Sequence, residues 1–202
     1  MISFDVDYVQ AATVAEAIAA WSEATAEGKT PRYFGGGTEI VTMARDNKLT
    51  ADVVIDYKRV PETRSGRAER AAPGGDRDGT GVGPAAPADP LAPARFGSAL
   101  RLNEIADTGA FALLGYCAAG VADRTVRNSI TLGGNIAGML PYREAVLPFL
   151  LLDGTVTTAA PAATTVSGGD PPRAAVATND TAAPPRIRTR PIIDLFDKRL
   201  RT

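Results

Sequence analysis

Two stretches of this chain have residue types and spacing that could do chemistry. The first is Gly35-Gly36-Gly37-Thr38-Glu39-Ile40 and the second is Thr131-Leu132-Gly133-Gly134-Asn135-Ile136. Each follows a β-prone run and sets adjacent glycines beside a small polar residue. Glycine admits positive φ and lets a ligand approach the main chain. Successive N–H groups in such a turn form a concave nest that holds an anion. Two nests brought together would grip a diphosphate from two sides, so the pair points to a nucleotide cofactor. At the first stretch Thr38 adds a hydroxyl and is placed to cap a helix over 39–45, whose N-terminus favours a phosphate. The lysine and Ser/Thr of a P-loop are missing, and the Rossmann glycine spacing is not met. Taken alone, a glycine corner between strand and helix accounts for this stretch equally well. At the second stretch Asn135 offers an amide next to exposed backbone. Upstream, Arg127 could pair with a phosphate or make a structural salt bridge, and Asn128 reads as a turn residue.

Composition narrows the field. The chain has 202 residues, 45% of them hydrophobic, and a formal net charge of −1. That length can bury a core, and the near-neutral charge argues against nucleic acid or a membrane surface as partner. The longest apolar run, 145–152, contains Pro148 and is too short to span a bilayer. The N-terminus lacks a basic-then-apolar leader, so the cytoplasm is the expected location. Histidine is absent, which removes the commonest general base and metal ligand. Cys117 is the sole cysteine, so the chain holds no internal disulfide or iron–sulfur cluster of its own. It sits in an apolar stretch and reads as a small buried hydrophobe. Redox chemistry here would have to be carried by an organic cofactor or a partner.

The elements that must position the two stretches follow from patterning. Residues 3–9 alternate loosely as a strand. A helix over 13–26 has Thr13 and Glu16 at capping-box spacing, Val14, Ala17, Ile18 and Trp21 on one face, and Gly28 to end it. Arg32-Tyr33-Phe34 forms a strand into the first glycine turn, and Val53-Val54-Ile55 a buried strand ending at Asp56. From 62 to 94 large apolar residues almost vanish, which reads as a disordered loop or linker. Structure resumes with a strand over 95–100, a short helix over 103–107 with Asn103 near its cap, and an apolar helix over 111–122. Residues 123–128 form a polar connection into the second turn. A helix over 144–152 ends at Gly154, and a strand covers 155–158. Residues 159–185 are again low in complexity. A short apolar piece over 191–196 closes the pattern.

Taken in order, these motifs resemble the flavin-binding subunit of the molybdenum hydroxylases, a family that includes xanthine dehydrogenase and carbon monoxide dehydrogenase. The family's N-terminal motif resembles A/G-G-G-T-D/E-L/I, as in Gly35 to Ile40. Its other motif resembles I-R-N-x-x-T-x-G-G-N-I, met by residues 126–136 with Val126 in the isoleucine place. Val54-Ile55-Asp56, Arg95-Phe96-Gly97-Ser98-Ala99 and Leu102-Asn103-Glu104-Ile105-Ala106 resemble the segments between them. Everything but the two low-complexity stretches is covered.

The resemblance implies an α+β, PCMH-type FAD-binding fold with two α/β subdomains, a small N-terminal βαβ unit and a second mixed-sheet subdomain. The implied division is 1–61 and 95–158 for the subdomains, 62–94 and 159–189 for loops, and 190–202 for a C-terminal segment. FAD is the implied cofactor. It would be held by Gly35, Gly36, Gly37, Thr38, Glu39 and Ile40 from the first motif, and by Thr131, Gly133, Gly134, Asn135 and Ile136 from the second. The implied partners are an iron–sulfur subunit and a molybdopterin-binding subunit, with NAD+ or another acceptor. No side chain is assigned a catalytic role and none a metal.

Three departures stand out. Leu140-Pro141-Tyr142-Arg143-Glu144 occupies the place of the family's Ser-Pro-x-x-Asp. Glu144 then stands for the cofactor-holding aspartate, or caps a helix, or is solvated. The 62–94 loop is longer than usual. The sequence also stops soon after Phe196, where the family continues into a C-terminal domain, so either the chain is a truncated product or a partner supplies that surface. An assembly protein that keeps the fold and has lost the cofactor is the competing reading. An oxidase of the vanillyl-alcohol oxidase type shares the general fold but fits less well, because histidine and a substrate domain are lacking.

Overall fold

The computed structural model describes residues 4–68, 94–109, 111–139, 141–162 and 184–196. The first unit is a three-stranded parallel sheet in the order β1-β3-β2, with β1 at Asp7–Gln10, β2 at Pro31–Phe34 and β3 at Val53–Asp56. Helix α1 (Val14–Ala26) joins β1 to β2, and α2 (Thr38–Arg45) joins β2 to β3. Thr13 caps α1 by accepting the Glu16 N–H at 3.1 Å, while the Glu16 carboxylate takes the Ala12 N–H at 2.8 Å. Gly28, at φ +76, ends it as the pattern requires, with the Lys29 N–H returning to the Ala24 carbonyl. Ala17 and Ala24 bury against Val53, Ile55 and Val60, and Trp21 stacks on Tyr33 with ring centroids 4.7 Å apart. This stacking orients the strand that delivers the first glycine motif.

The second unit is built on helices α4 (Leu102–Thr108), α5 (Ala112–Gly120), α6 (Arg124–Arg127), α7 (Leu132–Ala137) and α8 (Leu147–Leu151). Leu102, Ile105, Leu114, Ala118, Val121 and Leu132 form its core. Its strands pair as two antiparallel ribbons, β4 (Gly66–Ala68) with β5 (Ala94–Phe96), and β6 (Thr155–Ala160) with β7 (Arg186–Pro191). Val146, Ile192 and Phe196 make a smaller cluster beneath the second ribbon.

Several local expectations change. The first strand covers 7–10, residues 4–6 of the expected 3–9 are not strand, and residue 3 lies outside the described residues. The segment after 61 opens with an ordered turn of helix, α3 (Pro61–Arg64), and a strand before the stretch outside the described residues begins. The strand expected over 95–100 stops at Phe96, because the Gly97 and Ala99 N–H groups turn aside to the Ser65 and Thr63 carbonyls. Asn103 is not at the cap of α4. Glu104 accepts the Arg101 N–H there, and Asn103 is buried. The expected polar connection over 123–128 contains α6, capped by Asp123. Pro148 divides the single helix expected over 144–152 into a 3-10 turn, Glu144–Val146, and α8. The β6–β7 ribbon extends into both ends of the expected 159–189 loop, and the middle of that loop lies outside the described residues. Pairing with a partner strand overrides weak local composition at such ends. Cys117 is half-buried on α5 with a free thiol.

Candidate cofactor site

The two glycine motifs, about a hundred residues apart in sequence, meet in the structure. The first lies at the C-terminal end of β2, where parallel α/β sheets present their ligand sites. Gly35 is buried, and a methyl group there would sit 2.7 Å from both the Tyr57 and Thr131 hydroxyl oxygens. A Cβ on Gly36 would be driven into the Ser129 carbonyl. Gly37 holds φ +72 with the Phe34 ring against it, a conformation that β-carbons resist. These glycines are therefore required by the closeness of the two motifs as well as by turn geometry. A second clasp joins them, since both Glu39 carboxylate oxygens accept the Met139 N–H, at 2.8 and 2.9 Å.

The first motif is supported from beneath by an ion pair. The Asp56 carboxylate, 3% exposed, takes the Tyr8 hydroxyl and the Lys58 ammonium, each at 2.6 Å. Burial works against ionisation of Asp56, and Lys58 and Tyr8 outweigh it, so the carboxyl is held below its usual value. Lys58 also lies 4.4 Å from the centre of the Phe34 ring. The chain runs from Asp56 through Lys58 and Phe34 to Gly37.

The donors differ between the motifs. Gly37, not Thr38, occupies the N-cap of α2, and no side chain bonds its first N–H groups. The first helical bond runs from the Val41 N–H to the Gly37 carbonyl. The N–H groups of Thr38, Glu39 and Ile40 precede it at the positive end of the helix. The second motif is not an open turn but the start of α7. There the Leu132 N–H goes to the Leu100 carbonyl, Gly133 to Ser98, Gly134 to the Thr131 hydroxyl and Asn135 to the Thr131 carbonyl. A Cβ on Gly133 would meet Ser98, so its glycine also serves a close approach. Ile136 packs between two apolar clusters.

Two buried acceptors stand unpartnered, one on the second motif and one beyond it on Glu144. The Asn135 amide donates to the Tyr142 carbonyl at 2.8 Å, and its Oδ1 is buried without a partner. Oε2 of Glu144 is likewise buried and unpartnered. Glu144 lines a cavity of ≈ 280 Å³ with Pro141, Arg143, Val146, Leu147, Leu150 and Phe196. Buried acceptors of this kind cost free energy unless a donor reaches them. An uncapped helix N-terminus and unpartnered acceptors fit a dinucleotide that carries a diphosphate and hydroxyls.

Arg127 does not face this site. Its guanidinium donates to the Asn103 Oδ1 and to the Val121 and Ala122 carbonyls, so it braces the loop before α7. Asn128 accepts from the Asn103 amide at 2.7 Å. The sequence pattern did not single out Tyr57 or Met139, and it carried Ser98 and Ser129 only within longer matched segments. Tyr57 carried a signal, since it directly follows a buried parallel strand. The other three contribute mainly backbone or sit in turns, and only the tertiary fold brings them in. Among the described residues no group of three or more Cys, Asp or Glu is placed to hold a metal. No described helix is long and apolar enough to cross a membrane.

Residues 92–167 match the family model of the FAD binding domain in molybdopterin dehydrogenase. The match bears out the resemblance read from the second motif, and the cofactor of that domain is FAD. The first motif lies outside the matched range. The chain is similar to a carbon monoxide dehydrogenase from Hydrogenophaga pseudoflava that lacks the Mo-pyranopterin moiety, at 24% identity and a TM-score of 0.53, over 68% of this chain and 41% of that one. It is similar to a cyanide-inactivated Cu,Mo-CO dehydrogenase at 17% identity and TM-score 0.59, over 80% and 49%. Quinoline 2-oxidoreductase from Pseudomonas putida 86 aligns at 17% identity and TM-score 0.59, over 98% and 54%. These likenesses show the mixed α and β fold that the resemblance implied. The chain spans about half the length of the structures it matches. No curated protein matches it in sequence.

Proposed function

We propose that this chain is the FAD-binding part of an oxidoreductase of the molybdenum hydroxylase type, related to xanthine and carbon monoxide dehydrogenases and working in the cytoplasm. In this reading 1–61 and 95–158 are the two cofactor-binding subdomains. Electrons arrive from an iron–sulfur subunit, itself served by a molybdopterin subunit, and leave to NAD+ or another acceptor. The observation that carries the reading is the meeting of the two motifs beside a helix N-terminus that no side chain caps.

Thr38, Glu39 and Ile40 would hold the diphosphate through their N–H groups, with Gly35, Gly36 and Gly37 shaping the approach. Asn135 and Glu144 would receive hydroxyl or ring N–H donors. Thr131, Gly133, Gly134 and Ile136 set the position of Asn135. Bound FAD would supply the redox chemistry, and the residues of the chain bind and orient it. The test is the visible absorption of the purified chain after incubation with FAD, followed by chromatography of the cofactor released on denaturation. Flavin absorption with stoichiometric FAD is expected. A colourless protein after reconstitution would sink the reading.

One observation favours a second reading, a cofactor-free assembly module. Each N–H of the first turn of α7 is already bonded within the chain, so that motif keeps its shape with no ligand. A colourless chain that still associates with a partner subunit is its expected outcome.

A further inference from the structure

We infer that Tyr57 is a positioning residue, the pin that fixes the spacing between the two glycine motifs and so lets both close on one cofactor. The inference rests on the FAD reading above. Tyr57 stands one residue beyond β3, where the first unit hands over to the second. Its ring meets Tyr33 edge-on, centroids 6.3 Å apart, and packs with the core under α1. Its hydroxyl reaches the other way, to the place beside Gly35 where the Thr131 hydroxyl also lies, and Thr131 and Ser98 both act on its titration. Those two residues fix the second motif. Thr131 caps α7, and the Ser98 carbonyl takes the Gly133 N–H at 2.8 Å.

Gly35 closes the arrangement. The Tyr57 and Thr131 hydroxyl oxygens occupy the space its Cβ would need, so the first motif rests directly on the junction. One phenol therefore touches both motifs and the turn that braces the second. Burial raises the Tyr57 pKa and outweighs Thr131 and Ser98, which lower it, so the hydroxyl stays protonated. A phenylalanine would fill the same core volume and lose only this junction. The chain would keep its fold, while the two halves of the site would lose their mutual register.

The test is a double-mutant cycle on the full-length chain, titrated with FAD and followed by flavin fluorescence and visible circular dichroism. The chains compared are wild type, Tyr57→Phe, Thr131→Val and the double variant. Tyr57→Phe is expected to weaken FAD binding about tenfold, the worth of one net hydrogen bond, and to change the dichroism of the bound flavin. The chain without FAD should still fold, its melting temperature lowered only by the few degrees that one hydrogen bond is worth. In the Thr131→Val background the same change should cost little more, because its partner is already gone. Ser98→Ala, which removes the other hydroxyl, should reproduce the dichroism change and gives the same readout if a Tyr57 variant does not fold. Wild-type affinity and dichroism in Tyr57→Phe would overturn the inference alone. So would a full-sized loss in both backgrounds. A wild-type chain that takes up no FAD overturns the FAD reading and this inference with it.

Discussion

At the first glycine motif, α2 starts on a left-handed glycine with no side chain over its N-terminus. At the second, Thr131, Ser98 and Leu100 take up each N–H of the first turn of α7. The two motifs are alike in sequence and differ in what they leave open. One keeps backbone donors in reserve. The other is self-sufficient in its main chain and leaves one side-chain acceptor, on Asn135, unpartnered, with a second beyond it on Glu144. A helix N-terminus suits an anion, and unpartnered acceptors suit hydroxyls and ring N–H groups. A glycine pair is thus no guarantee of an anion nest. At Gly36 and Gly133 the missing side chain admits another part of the same protein.

The comparison can be broken most forcefully at the contact between the motifs. Gly36→Val drives a branched side chain into the Ser129 carbonyl, and overpacking of this kind costs about 3 kcal/mol. FAD retention should be lost along with a clear fall in the urea midpoint. A variant with normal flavin content and stability would mean that the two motifs do not meet as described. Next in size is Asn135→Ala, which strips the Tyr142 carbonyl of its donor. About 2 kcal/mol of stability should go, and isothermal titration should show weaker FAD binding. If the melting curve falls but FAD affinity does not, the unpartnered Asn135 oxygen plays no part in the site.

The sharpest contrast uses the two threonines. Thr131→Ala removes a true N-cap and should cost about 1 kcal/mol. Thr38→Ala removes a hydroxyl that caps nothing and should cost below about 0.5 kcal/mol. Chemical denaturation of both variants measures the difference directly. Equal losses would show that the motifs are built alike after all. The smallest effect belongs to Glu39→Gln. It keeps the acceptor for the Met139 N–H but gives up the charge assistance, so the two motifs should separate slightly more easily. About 0.5 kcal/mol is expected, roughly the difference between a charged and a neutral hydrogen bond at an exposed site. Salt dependence of the melting temperature, present in wild type and reduced in the variant, would identify the electrostatic part.

Much of the first unit was legible in the sequence because its signals are local. Thr13, Glu16 and Gly28 mark both ends of α1 through bonds that reach no farther than five residues. The β2–glycine–α2 corner is written in consecutive residues. The second unit was less legible for the opposite reason. Whether 95–100 continues as a strand depends on carbonyls at Thr63 and Ser65, and whether residues 159 and 160 pair depends on residues 186 and 187. Helix α6 is four residues long, too short for any periodicity to reveal.

The sequence by itself determined the two motifs, their order and the family resemblance. It also excluded histidine chemistry and any iron–sulfur cluster held by this chain alone. Only the tertiary structure decided which N–H groups are still available, that Arg127 is a brace, and that Tyr57 stands where the motifs join. The physical reason is that a residue type fixes what a group can donate or accept. Whether it is already satisfied depends on neighbours, here Ser98, Leu100 and Ser129, that the fold brings in from elsewhere in the chain.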